Sequence, residues 1–132
     1  MNVCICTSSF PLNRSEIYHQ YLNDLILLLQ SKGHNITVLT QEKRGEKEKF
    51  IANADIVWFP WKMTEKDVLA EISFKIFKNI FSALSLVFNG TLHAKKISAE
   101  KKIDLFICLW IVPSGLYVAL KNIFFRKTPY LL

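Results

Sequence analysis

VCICT at residues 3–7 and EIYHQYLNDLILLLQSKGHNITVLT at residues 16–40 decide the fold class between them. The first is a short, nearly continuous apolar run, as expected for a strand covered on both faces in a parallel sheet. In the second, Ile17, Tyr21, Leu22, Leu25, Ile26, Leu28 and Leu29 recur mostly at three- and four-residue spacing from Glu16 onward. That spacing predicts a helix with one apolar face, Ser15 capping its start and Gly33 its end. Asn35 to Thr40 is β-rich and apolar, so strand, helix and strand are complete within 40 residues, a length that suits a right-handed parallel crossover.

The alternation continues along the chain. QEKRGEKEK at 41–49 is a solvated connector, and Ala54 to Phe59 is a third strand stopped by Pro60. A helical stretch follows from about Glu65 to about Ile97, with Ile72, Ile76, Phe77, Ile80, Phe81, Leu84, Val87 and Phe88 in a wide apolar stripe and a break expected at Asn89-Gly90. Asp104 to Trp110 reads as a strand, Ser114 to Phe125 as a helix, and Pro129 to Leu132 as the start of another strand. The expected fold is α/β, a three-layer Rossmann-like domain with a parallel sheet. With 132 residues, 51% of them apolar, residues 1–132 suffice for one core and exclude two full domains.

The net charge of +6 is unevenly placed. Residues 1–61 carry six charges of each sign, residues 62–102 carry eight lysines against four acids, and residues 103–132 carry three basic residues against Asp104. The basic second half suits an anionic partner such as lipid headgroups, phosphorylated sugars or nucleic acid, although an ordinary solvated surface has the same composition.

MNVCICTSSF lacks the basic start and long apolar run of a signal peptide, so a cytoplasmic location with reduced thiols is expected. Cys4 and Cys6, two apart, point to one face of a strand and are poorly placed to pair. With only Cys108 in addition and no C-x-x-C or spaced Cys/His set, they read as small buried hydrophobes, and no metal site is assigned. The Asn-x-Ser/Thr triplets at Asn13, Asn35 and Asn89 are discounted without a secretory signal. The longest uncharged stretch, Leu105 to Leu120, is 16 residues interrupted by Pro113, Ser114 and Gly115, short of the ~20 residues that span a bilayer.

In an open parallel sheet, ligands bind at the carboxyl ends of the strands, which directs attention to the loops after Thr7 and Trp110. The first, TSSFPLNRSE, contains no glycine, which excludes the dinucleotide and mononucleotide phosphate loops that need glycine for close backbone approach. No acidic cluster follows the first strand either, which argues against a phospho-accepting receiver domain. The loop still suits an anion: helix N–H groups and the hydroxyls of Ser8, Ser9 and Ser15 would hold a phosphate or sugar, with Arg14 supplying charge. A plain capped turn uses the same residues. His19, His34 and His93 stand at no spacing that suggests a triad, so no catalytic residue is assigned. The 65–97 stripe, flanked by Lys75, Lys78, Lys95 and Lys96, fits a helix lying on an anionic membrane surface, and core packing fits it equally well.

Three blocks in order resemble a known family. S-S-F-P at 8–11, then S-K-G-H-N-I-T-V-L-T at 31–40, then D-L-F-I-C-L-W-I-V-P-S-G-L at 104–116 with T-P-Y-L-L at 128–132, are similar to the opening of GT-B glycosyltransferases of family 4. The resemblance covers nearly the whole chain and is weak across 41–100. It implies the N-terminal half of a GT-B fold in a metal-independent, hexosyltransferase-like enzyme of polysaccharide biosynthesis. Such an enzyme transfers a sugar from a nucleotide-sugar donor, a substrate and not a cofactor, to a glycan or lipid-linked acceptor. The donor is bound mainly by a second domain carrying an E-x7-E motif, which this sequence lacks. The family's first-loop glycine is replaced in the region of Arg14 and Ser15, its H-x-H-W histidines are absent at Ile107 to Trp110, and its histidine loop would follow Leu132.

The expectations are then an acceptor-side domain, inactive as an isolated chain, working with a donor-binding domain or partner chain. It is placed in the cytoplasm, peripheral on the inner membrane face through residues 65–97, with no nucleic acid partner. Ser9, Arg14, Ser15, Trp110 and Ser114 are the expected acceptor- or phosphate-binding residues. The alternative is a non-catalytic membrane-docking subunit of a split glycosyltransferase.

Overall fold

The computed structural model describes residues 1–11, 20–44, 54–62 and 77–132. Five strands, β1 (Asn2–Thr7), β2 (Asn35–Gln41), β3 (Asp55–Phe59), β4 (Leu105–Cys108) and β5 (Tyr130–Leu131), form one sheet in the order β3-β2-β1-β4-β5. Every neighbouring pair is parallel, with Cys4 opposite Thr37 and Phe106, and Cys6 opposite Leu39 and Cys108. Helix α1 (Gln20–Ser31) covers one face; α2 (Phe77–Glu100) and α3 (Leu116–Phe124) cover the other. The expected three-layer Rossmann-like α/β fold with a parallel sheet is the observed one.

The strands are apolar on both sides because each side faces a helix layer. Val3, Ile5, Ile36 and Val38 pack on Leu22 and Ile26 of α1, with Phe10 from the first loop. On the opposite face Cys4, Cys6, Leu39, Phe59, Phe106 and Cys108 meet Leu86, Ala94 and Ile97 of α2 and Tyr117 and Val118 of α3. Gly33 ends α1 as the sequence predicts: at φ +79° its N–H donates to Gln30 O and that of His34 to Leu29 O, the paired bonds of a Schellman cap. The expected start of this helix, with Ser15 as cap, lies outside the described residues, as does the start of the long helical stretch.

Three details differ from the sequence reading. Helix α2 runs unbroken through Asn89-Gly90, because the Asn89 amide donates to Ser85 O at 2.9 Å and the bare Cα of Gly90 lies against the buried Tyr117 ring. Strand β4 stops at Cys108, and the expected helix from Ser114 to Phe125 is instead a wide turn, Ile111–Gly115, followed by α3. In that turn Val112 is extended and its bond to Pro113 is cis. Finally, the described part of the α2 stripe is divided: Val87 packs against the core beside Leu86, Ala94 and Ile97, whereas Phe81, Leu84 and Phe88 are 51%, 60% and 64% exposed. Gly90 brings the helix close to Tyr117 of α3.

Candidate functional site

The chain leaves β1 toward β2 on one side and reaches β4 on the other, so the carboxyl ends of β1 and β4 flank the topological switch point, where such sheets bind ligands. Two of the expected site residues meet there across 101 positions of sequence: the Trp110 indole N–H donates to Ser9 Oγ at 3.2 Å. Ser9 is placed by its own backbone, whose N–H donates to Thr7 Oγ1 at 3.2 Å as the chain leaves β1. Trp110 lies two residues past the end of β4, and the N–H of the intervening Leu109 still bonds Cys6 O, so the sheet ladder carries the loop to the site.

Ser114 lies beneath the turn, fully buried. Its hydroxyl donates to Trp110 O at 2.7 Å and accepts the Trp110 N–H at 3.2 Å, while Gly115 N–H donates to the same carbonyl at 2.8 Å. Ser114 therefore shapes the loop, its hydroxyl engaged by the Trp110 backbone. Arg14 and Ser15 lie outside the described residues.

Sequence reasoning missed how the neighbouring loops are tied together. The Lys43 ammonium, just past β2, donates to Phe10 O at 2.7 Å, and the Trp61 indole N–H donates to Glu42 O at 2.8 Å. Lys62 N–H donates to Ser85 Oγ at 3.0 Å, joining the loop after β3 to α2. The placement of Lys43 at a strand end was the only available signal, and in a connector dense with charge it does not stand out.

The core next to these strand ends is uncharged. Burial pushes the Cys6 thiol and the Tyr117 phenol well above their ordinary ranges, and contact with Cys6, then burial, raises Cys108. All three hold their protons at neutral pH, so the thiols are inert hydrophobes and not nucleophiles. Cys4 and Cys6 are both fully buried, with sulfurs 4.0 Å apart and unpaired by a disulfide. Among the described residues, no three His, Cys, Asp or Glu side chains are arranged to hold a metal ion. His93 is turned into its own helix, Nδ1 lying 2.9 Å from Asn89 O, with its ring against Phe59.

The arrangement is a half-exposed indole held by the Ser9 hydroxyl at the carboxyl ends of β1 and β4, over uncharged side chains, suited to meeting a polar ligand with an apolar face. Two further surfaces accompany it. Lys62, Phe81, Leu84, Ser85, Phe88 and Asn89 line a groove along α2. At the opposite end of the sheet, Asn2, His34, Asn35, Asp55 and Lys101 surround a polar pocket of about 440 Å3. Among the described residues no helix is long and apolar enough to cross a membrane.

Compared with protein-family models and with curated proteins, the chain matches none.

Proposed function

We propose that the chain is the N-terminal, acceptor-side domain of a GT-B glycosyltransferase resembling family 4. In this reading it holds a glycan or lipid-linked acceptor while a donor-binding domain presents a nucleotide sugar. The observation that carries the reading is the hydrogen bond that joins Ser9 after β1 to Trp110 after β4 at the switch point. Two of the sequence blocks of the resemblance flank that bond, S-S-F-P leaving β1 and L-W-I-V-P-S-G following β4, whereas the K-G-H block closes α1 and opens β2 at the opposite end of the sheet. The glycine-free first loop is not one of the glycine-dependent nucleotide phosphate loops, and the Cys6 and Cys108 thiols stay protonated, which supports an acceptor-holding role.

A transfer assay tests this. The purified chain, alone and with a donor-binding GT-B domain supplied in trans, is offered labelled nucleotide sugars and a glycolipid extract. Labelled product only in the combined reaction is expected. Product from the chain alone overturns the division of labour, and no product in either reaction from folded proteins overturns the acceptor-side assignment.

One observation favours a second reading, the membrane-docking subunit of a split enzyme. Phe81, Leu84 and Phe88 form an exposed apolar face on α2 with Lys62 beside it and Lys95 and Lys96 farther along the same helix, the composition of a helix lying on anionic lipid. Co-sedimentation with anionic but not neutral vesicles, lost when Lys62, Lys95 and Lys96 become Gln, is the expected result. Binding indifferent to lipid charge refutes it.

A further inference from the structure

Trp110 is a surface aromatic held from both ends. Ser9 fixes its indole N–H, while Ser114 brackets its backbone N–H and carbonyl. The ring nevertheless stays 49% exposed, so it is restrained without being buried. Ile111 and Val112, next in sequence, are exposed too, so three consecutive apolar side chains lie at the surface after β4.

We propose that Trp110 is the stacking platform for a pyranose ring of the acceptor. Ile111 and Val112 carry the apolar group linked to that sugar, which makes the acceptor an alkyl- or isoprenoid-linked glycoside. The assignment rests on the acceptor-side reading above and specifies its substrate class. A pyranose presents a face of C–H groups whose partial positive charge meets the electron-rich face of the indole. Its hydroxyls project at the rim, where Ser9 Oγ accepts the indole proton and keeps its own O–H to donate. A ring already fixed in place lowers the ordering cost of binding. Ser9 and Ser114 act through Trp110 and are positioning residues.

The test is NMR titration of the 15N-labelled chain. The three tryptophans give three indole N–H signals, assigned with Trp→Phe variants. Methyl β-D-glucopyranoside, octyl β-D-glucopyranoside below its micelle concentration, and AMP are the probes. Expected is a shift confined to the Trp110 indole with both glycosides, and octyl binding about tenfold tighter than methyl, the effect of roughly two methylenes removed from water. Ser9→Ala is expected to move the Trp110 signal in the free protein and weaken glycoside binding several-fold at unchanged melting temperature, and Ser9→Thr to restore both.

Glycoside binding that shifts other signals but leaves Trp110 still overturns the platform and leaves the acceptor-side reading intact. A Trp110 shift with AMP and not with glycosides overturns both, since the ring then reads a nucleobase. Equal affinity for methyl and octyl glycosides overturns the assignment of Ile111 and Val112. A silent Trp110 signal with every probe overturns the proposal, and the transfer assay then judges the acceptor-side reading separately.

Discussion

Gly90 sits in the middle of a 24-residue helix, where alanine is ordinarily the better residue by about 1 kcal/mol. Here a Cβ would lie 2.6 Å from Tyr117 Cδ1 and 2.8 Å from Cγ. The ring has nowhere to go: it is fully buried and packed edge-on against Phe59 with centroids 5.8 Å apart. Overpacking of this kind costs about 1–3 kcal/mol, and contacts this short belong toward the upper end. Gly90→Ala is therefore expected to lose about 1–2 kcal/mol net, a fall in Tm of roughly 3–10 °C for a domain of this size. Thermal and urea unfolding followed by circular dichroism measure it. Tyr117→Leu supplies the control, because with the ring gone the same alanine should become neutral or stabilising, a coupling of at least about 1 kcal/mol. A rise in Tm on Gly90→Ala in the wild-type background refutes the reasoning, since it would mean that helix propensity alone governs this position and that α2 and α3 do not touch there.

Three further outcomes follow from the same coordinates. Cys6, Cys108 and Tyr117 hold their protons to higher pH in the fold than in the unfolded chain, so stability should be constant below about pH 9 and fall as pH rises above it; urea midpoints at pH 7, 9 and 10 measure this, and a flat profile contradicts it. Lys121 is buried, donating to Thr128 Oγ1 at 2.6 Å, and burial, with Arg126 nearby, lowers its pKa from 10.5. Its charge opposes folding at neutral pH and the penalty lifts as pH rises toward 10.5, so the advantage of Lys121→Met over wild type should shrink across that window; an advantage independent of pH argues against an unfavourable charge. Asn2 binds Lys101 O, Lys102 O and the Asn35 side chain, joining β1 to β2 and to the α2–β4 connection, so Asn2→Ala should cost about 1–2 kcal/mol in urea unfolding, and a loss below a few tenths would show that water replaces those bonds.

The fold class was legible in residues 3–40, because a strand buried on both faces and a helix buried on one leave different apolar spacings. The carboxyl-end rule pointed to the loops after Thr7 and Trp110, and the bond from Trp110 to Ser9 joins them in the structure. Boundaries were less legible: Trp110 looks like the end of a strand in an apolar run, and only the turn closed by Ser114 separates it from β4.

What the sequence determines by itself is thus periodicity and punctuation, that is, parallel α/β architecture, the Gly33 cap and the absence of a glycine phosphate loop. The α2 stripe shows where that stops. Phe81, Leu84 and Phe88 recur at core-like spacing, yet the core takes the side of the helix that carries Leu86, Ala94 and Ile97 and leaves them in solvent. Hydropathy records which residues share a face of a helix, but which of two faces turns inward is settled by how closely the backbones approach. At Gly90 that approach depends on Tyr117, 27 residues away in sequence and in contact only in the folded chain.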